Sequence, residues 1–228
     1  MSHILALESS TEKCSVAVWV NGHLRVREVS GERHSESLLP LVNTLMKEAG
    51  LSLGQLDAVA YGQGPGSFTG VRLACSVAQG LAFGLGIPTL PVSSLMALAA
   101  GTNARQVLAV LDARMGQIYL GAYGMIENDW MTLMAPCLCD PEAPPDLPAT
   151  GASWHLVGSG AERHASVLAN AWHLTSPVVL QGRYPHASQV AEIGAGLLGR
   201  GQGLPPEEAT PVYLRDKVAL TIEERQRK

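Results

Sequence analysis

Two short turns in this chain each open with a carboxylate that closes an apolar run: Glu8, followed by Ser9, Ser10 and Thr11, and Asp112, followed by Ala113, Arg114 and Met115. An acid so placed can position a magnesium ion, while backbone amides behind it wrap phosphate oxygens. Glycine at the second position after the acid would let the backbone approach phosphate closely. Ser10 and the bulky Arg114 stand there instead, so both turns read as degenerate phosphate loops. Arg114 could meet an anion itself or pair with a nearby carboxylate. A third segment, Gly62-Gln63-Gly64-Pro65-Gly66-Ser67-Phe68-Thr69-Gly70, leads from an apolar run into a helical pattern. Gly64, Gly66 and their neighbours could present amides to an anion at the helix N-terminus, or simply turn the chain tightly. The segment lacks the Lys-Ser/Thr ending of a P-loop. Gly158-Ser159-Gly160 admits the same two readings, an adenosine contact or a turn.

Other chemistry is poorly supplied. The histidines, His3, His23, His34, His155, His164, His173 and His186, include no pair at the i, i+4 spacing that puts two metal ligands on one helical face. No serine lies in a nucleophile-elbow pattern, and nothing marks a Cys-His arrangement, which argues against a peptidase. Cys14, Cys75, Cys137 and Cys139 show no paired two-residue spacing of a zinc site, and only the last two are close enough to suggest chemistry. The expectation is reduced structural thiols, no metal and no cofactor.

The 228 residues are 46% hydrophobic and 16% charged with 24 Gly, a composition that folds and excludes disorder. A net charge of -4 leaves no positive field to draw in phosphate backbones, which excludes a stand-alone nucleic-acid binder. No basic leader and no 18-residue apolar run are expected, which predicts a cytoplasmic protein.

The elements that must position these turns follow from periodicity. Strands are predicted at ILALE, at CSVAVWV and around Leu24 and Val26, the last two joined by the hairpin signal Asn21-Gly22. Leu38, Leu41, Val42, Leu45, Met46 and Ala49 share a helical face closed by Gly50, with Pro40 predicting a late start or a bend. A buried strand over 56–61, a helix over 70–84, a strand over 89–92 and a helix capped by Ser93 complete a ribonuclease-H-like lobe. The segment VLAVLDARMGQIYLGAY then repeats the opening pattern, with Leu108 to Asp112 standing for Ile4 to Glu8. The repeat implies duplication. A Pro-rich acidic stretch over 136–148 reads as a surface loop, WHLVGSG gives another strand and a glycine turn, and helices are expected at 161–171 and 187–198. The predicted fold class is α/β, with two ribonuclease-H-like lobes like those of actin, hexokinase and Hsp70 (the ASKHA class). The lobes are placed at 1–102 and 103–213, with a C-terminal helix over 214–228 returning to the first.

The helix GVRLACSVAQGLAFGLG carries little bulk at Ala74, Ser76, Ala78, Gly80, Ala82 and Gly84 but an apolar ridge of Leu73, Val77, Leu81 and Leu85. Such a helix must be covered almost all round, either by its own core or by the lobe on one side and a partner on the other.

Taken with LALESSTEKCSVAV, ERHSESLLPLV, VLDARMGQIY and PVYLR in order, GPGSFTGVRLA makes the whole chain resemble the TsaB (YeaZ) family. Glu8 departs from it, since relatives usually carry Asp. The resemblance implies a non-catalytic paralogue of TsaD, the enzyme that transfers a threonylcarbamoyl group to the anticodon-adjacent adenosine of tRNAs reading codons that begin with A. TsaD holds a metal with two histidines, and Ser94 and Leu98 stand in their places here. The family further implies a scaffold and activator that binds TsaD with the ATPase TsaE, homodimerises alone through the same helical face, and meets tRNA only through the complex. The expected interface residues are Leu38, Leu41, Val42, Leu45, Leu73, Val77 and Leu81. The alternative is an actin-fold ATP-binding phosphotransferase using Glu8, Ser10, Thr11, Gly64, Gly66 and Asp112.

Overall fold

The structure is a computed structural model that describes residues 2–31, 33–127, 129–149, 153–175 and 177–215. The expected C-terminal helix falls, from residue 216 onward, outside the described residues.

The first sheet has the order β3-β2-β1-β4-β5. Its strands are β1 (His3–Glu8), β2 (Lys13–Val20), β3 (His23–Ser30), β4 (Ala58–Gly62) and β5 (Thr89–Val92). The first three run antiparallel, and β4 and β5 join parallel to β1. Asn21 and Gly22 both take positive φ, 50° and 93°, as their two-residue hairpin requires. β1 is central, so Ile4, Leu5, Ala6 and Leu7 are all buried and its residues are apolar on both faces. On one face lie α1 (His34–Ala49) and α2 (Phe68–Leu85). The α1 helix does not wait for Pro40, which sits inside it; the run from His34 is carried by the packing of Leu38, Val42, Leu45 and Met46 on the sheet. By length and composition α2 could cross a membrane, contrary to the sequence expectation, although Val71, Ala74, Cys75, Ala78 and Ala82 are buried within the lobe.

The second sheet repeats the first. Its strands are β6 (Gln106–Asp112), β7 (Ile118–Ile126), β8 (Asp129–Cys139), β9 (His155–Val157) and β10 (Val178–Leu180), in the order β10-β9-β6-β7-β8. Again the first three are antiparallel and the last two parallel. The duplication read from the sequence is therefore present in topology and register. Two strands escaped the sequence reading. β8 occupies residues assigned in part to the Pro-rich loop, because Pro136 is tolerated on an edge strand where the register slips between Leu120 and Ala122. β10 is short and partly exposed, too brief to show a period. Among the described residues no helix stands between β8 and β9, where α1 stands in the first lobe.

The final helix of each repeat crosses over. α3 (Ser94–Ala100) packs Leu95, Leu98 and Ala99 against Val107, Ala109 and Leu111 of the second sheet. α5 (Ala187–Gly199), beyond α4 (Ser159–Ala171), packs Ala187, Val190 and Ala191 against Ile4, Ala6 and Ala60 of the first. The chain then runs back along the first lobe: Leu204 pairs with Thr89, Gln79 donates to the Pro206 carbonyl at 2.9 Å, and Val212 N–H donates to the Gln63 carbonyl at 2.7 Å. Packing thus crosses the chain position expected to divide the lobes.

Candidate functional site

Glu8 ends β1 with its side chain fully buried, 1% exposed. One carboxylate oxygen accepts the Ser10 N–H at 2.6 Å and the other accepts the Ser94 hydroxyl at 2.8 Å. Burial pushes the Glu8 carboxyl above the ordinary carboxylate range, against the opposing pull of the hydrogen bonds from Ser10 and Ser94. Gly62 makes room for it, because a Cβ there would lie 1.9 Å from a Glu8 carboxylate oxygen. Both acceptor atoms are thus taken up beneath the turn and away from the cleft.

The two segments suited to cradle phosphate bind each other. Ser67 N–H, at the entrance to α2, donates to the Ser10 carbonyl at 2.7 Å, and the Ser9 hydroxyl donates to the Gly70 carbonyl at 2.8 Å. A Cβ on Gly66 would meet the Ser10 carbonyl oxygen at 2.5 Å, and one on Gly70 the Ser9 carbonyl oxygen at 1.9 Å. Gly66 and Gly70 are accounted for by this clasp. Gly64 takes φ 98° and offers its carbonyl to the Ser94 N–H at 2.9 Å, tying the loop to α3.

The second turn faces a cleft between the lobes with a volume of about 1070 Å³. Asp112 accepts the Arg114 N–H at 2.8 Å on one oxygen and an Arg163 N–H at 2.8 Å on the other. Arg114 adopts φ 63°, and the carbonyls of Ala113 and Arg114 accept from the Arg215 guanidinium at 2.9 and 3.3 Å. At the opposite wall Arg72 stacks 3.4 Å from the Phe68 ring and donates to the Tyr213 hydroxyl. Thr11 lines this cleft; its hydroxyl accepts the Lys13 N–H at 3.3 Å. No site role is read from sequence for Arg163, Arg215 or the Phe68-Arg72-Tyr213 stack, although all but Arg163 lie within the GPGSFTGVRLA and PVYLR segments.

Of the six expected phosphate-loop residues, the structure lines the cleft with Ser10, Thr11, Gly66 and Asp112, of which Ser10 and Gly66 also belong to the clasp, and sets Glu8 and Gly64 behind it. The positions of the two expected histidine ligands do not fit a metal: Ser94 is buried against Glu8 and Leu98 lies in the core between α3 and the second sheet. Among the described residues no group of three or more potential ligands occurs.

The expected docking residues divide. Leu38, Val42 and Leu45 are 0–1% exposed within the first core, which corrects their assignment to a surface: α1 turns this stripe onto the sheet. Leu41, Leu73, Val77 and Leu81 are partly buried at its margin. Leu39 and Phe83, absent from the expectation, are 47% and 73% exposed.

Two repeats of one five-stranded topology, crossing over by their last helices around a cleft, define a ribonuclease-H-like, ASKHA-class α/β protein. The family model of TsaD, tRNA N6-adenosine threonylcarbamoyltransferase, matches residues 26–176. A tRNA threonylcarbamoyladenosine biosynthesis protein TsaB of Escherichia coli strain K12 is 36% identical over 229 residues, covering 95% of this chain and 96% of that relative. The solved structure described as YeaZ from Pseudomonas aeruginosa superposes with a TM-score of 0.84 at 37% identity, covering 94% of this chain and 100% of that one. A second, described as an uncharacterized protein with similarity to peptidase YEAZ from the same organism, gives a TM-score of 0.85 with the same identity and coverage. The chain belongs to the TsaB (YeaZ) family.

Proposed function

We propose that this protein is a subunit without a catalytic site of its own in tRNA threonylcarbamoyladenosine biosynthesis. It binds a TsaD-like transferase and, with a TsaE-like ATPase, supports transfer of the threonylcarbamoyl group to the anticodon-adjacent adenosine of tRNA. Family membership supports the process. The observation that carries the subunit role is the clasp: the turn and loop that would hold a nucleotide's phosphates hydrogen-bond to each other, and the acid beneath them is bonded to Ser94.

The outer face of α2 supports the partner. Gly80 and Gly84 are exposed, and a Cβ on either would meet nothing within 4 Å. Each costs helix stability of roughly 1 kcal/mol relative to Ala, with no return inside the lobe. Beside them Val77, Leu81 and Phe83 present apolar surface, so close approach of a partner helix explains the whole strip. The same face would pair two copies when the transferase is absent.

Light scattering on the chain alone and mixed with its TsaD, followed by a transfer assay with TsaE, ATP and tRNA, tests the reading. A homodimer replaced by a heterodimer, and a chain required for transfer but inactive alone, are the expected results. Unaided ATP turnover, or indifference to TsaD, would overturn it.

A further inference from the structure

Away from the cleft and the α2 face, Cys137 and Cys139 stand together on β8. Their strand partners are Leu120 and Ile118 with no slip between, so both thiols leave the strand on one face, toward Leu108, Val110 and Leu156. β8 is the edge of its sheet and has no strand on its outer side among the described residues. Both cysteines are partly exposed, whereas Cys14 and Cys75 are buried. Side by side on that face, the two thiols can share a proton. Sharing that proton brings the Cys137 thiol down to about 7 and pushes Cys139 up, with the Asp140 charge adding to the rise. Near neutral pH the pair therefore titrates between two thiols and a Cys137 thiolate beside the Cys139 thiol.

We propose that Cys137 and Cys139 form a reversible oxidation site, in which a hydroperoxide oxidises Cys137 and Cys139 resolves the product to an intrachain disulfide. The Cys137 thiolate attacks a peroxide oxygen; the S–O bond forms, the O–O bond breaks, and the departing oxygen takes a proton from solvent. Sulfur is oxidised by two electrons and the peroxide is reduced. Cys139 sulfur then attacks the sulfenic sulfur, the S–S bond forms, the S–O bond breaks, and hydroxide leaves with the Cys139 proton as water. This is the pattern of a partly exposed, acidic thiol next to a resolving one.

The backbone decides how stable the bond is. Residues two apart on a strand have Cα atoms roughly 6.5 to 7 Å apart, at the upper end of what a disulfide spans. Closure must therefore draw the pleat in. An edge strand with a register slip beside Pro136 can give in this way, and a bond closed under tension is readily reduced by small thiols.

The reduced full-length protein treated with hydrogen peroxide should lose about 2 Da in intact mass. Peptide mapping should join Cys137 to Cys139, and dithiothreitol should restore the original mass. Cys139→Ser should instead accumulate a dimedone adduct on Cys137, and Cys137→Ser should give neither product. The alkylation rate of Cys137 should rise with pH through about 7. Dimedone labelling of the unaltered protein as strong as that of Cys139→Ser, a crosslink between two chains, or oxidation at Cys14 or Cys75 instead would overturn the proposal.

Discussion

Ser94, the first residue of α3, donates its hydroxyl proton to Glu8 at the end of β1 across 2.8 Å. α3 packs on the second sheet and β1 is the centre of the first, so this buried bond joins the lobes at the point where an ASKHA-class enzyme would keep its chemistry. Here the acid serves as a crosslink.

Glu8 should give stability an inverse pH dependence. Burial raises its folded pKa above the unfolded value of about 4.5, so the folded state holds the proton longer. Its contribution is fully present below that value and is lost as pH rises through the folded pKa. Denaturant unfolding at a series of pH values should show the unaltered protein losing stability relative to Glu8→Gln as pH increases above about 4.5. A difference between the two that stays flat with pH would show that the carboxyl titrates normally.

Gly62 and Glu8 should couple. A Cβ at position 62 collides with a carboxylate oxygen that Ser94 holds in place, so Gly62→Ala should cost about 1 to 3 kcal/mol, the usual range for overpacking. Shortening the acid with Glu8→Asp withdraws that oxygen, and the double variant should recover part of the loss. Strict additivity in thermal unfolding would place the strain elsewhere.

Much of this was legible in sequence. The Glu8 and Asp112 turns, the Asn21-Gly22 hairpin and the repeated strand-turn-strand pattern are local, and periodicity reports local structure. What escaped was long-range. Ser94 lies 86 residues from Glu8, and the Ser67 to Ser10 bond joins segments whose glycines suit an anion as well as a neighbouring backbone. Leu38, Val42 and Leu45 share one apolar face, and only the packing of α1 shows that the sheet takes that face. β8 was hidden because Pro136 speaks against a strand, a rule that lapses at an edge.

Asp112 should matter little to ligand binding. Its carboxylate is held by Arg163 and caps the backbone of its own turn, so Asp112→Ala should lower stability by roughly 1 kcal/mol, the scale of a lost cap. Calorimetric titration with magnesium-ATP should give no saturable heat before or after the change. Tight binding that the substitution removes would restore the cleft as a nucleotide site.

Gly80 should separate stability from assembly. It lies in the interior of α2, exposed, and a methyl group there would meet nothing within 4 Å, so Gly80→Ala adds helix propensity without a clash. The isolated chain should gain about 0.5 to 1 kcal/mol, read in denaturant where self-association is lost. If a partner helix lies against this strip, the same methyl holds it off, and affinity for the TsaD-like subunit should fall while the lobe grows more stable. Gly80→Glu should carry the effect further, placing a charge in an apolar contact and abolishing the heterodimer in light scattering. The opposed signs distinguish docking from general damage, because a merely destabilised lobe would lose both together. Gly80→Ala that stabilises the chain and leaves affinity unchanged would move the partner to another face.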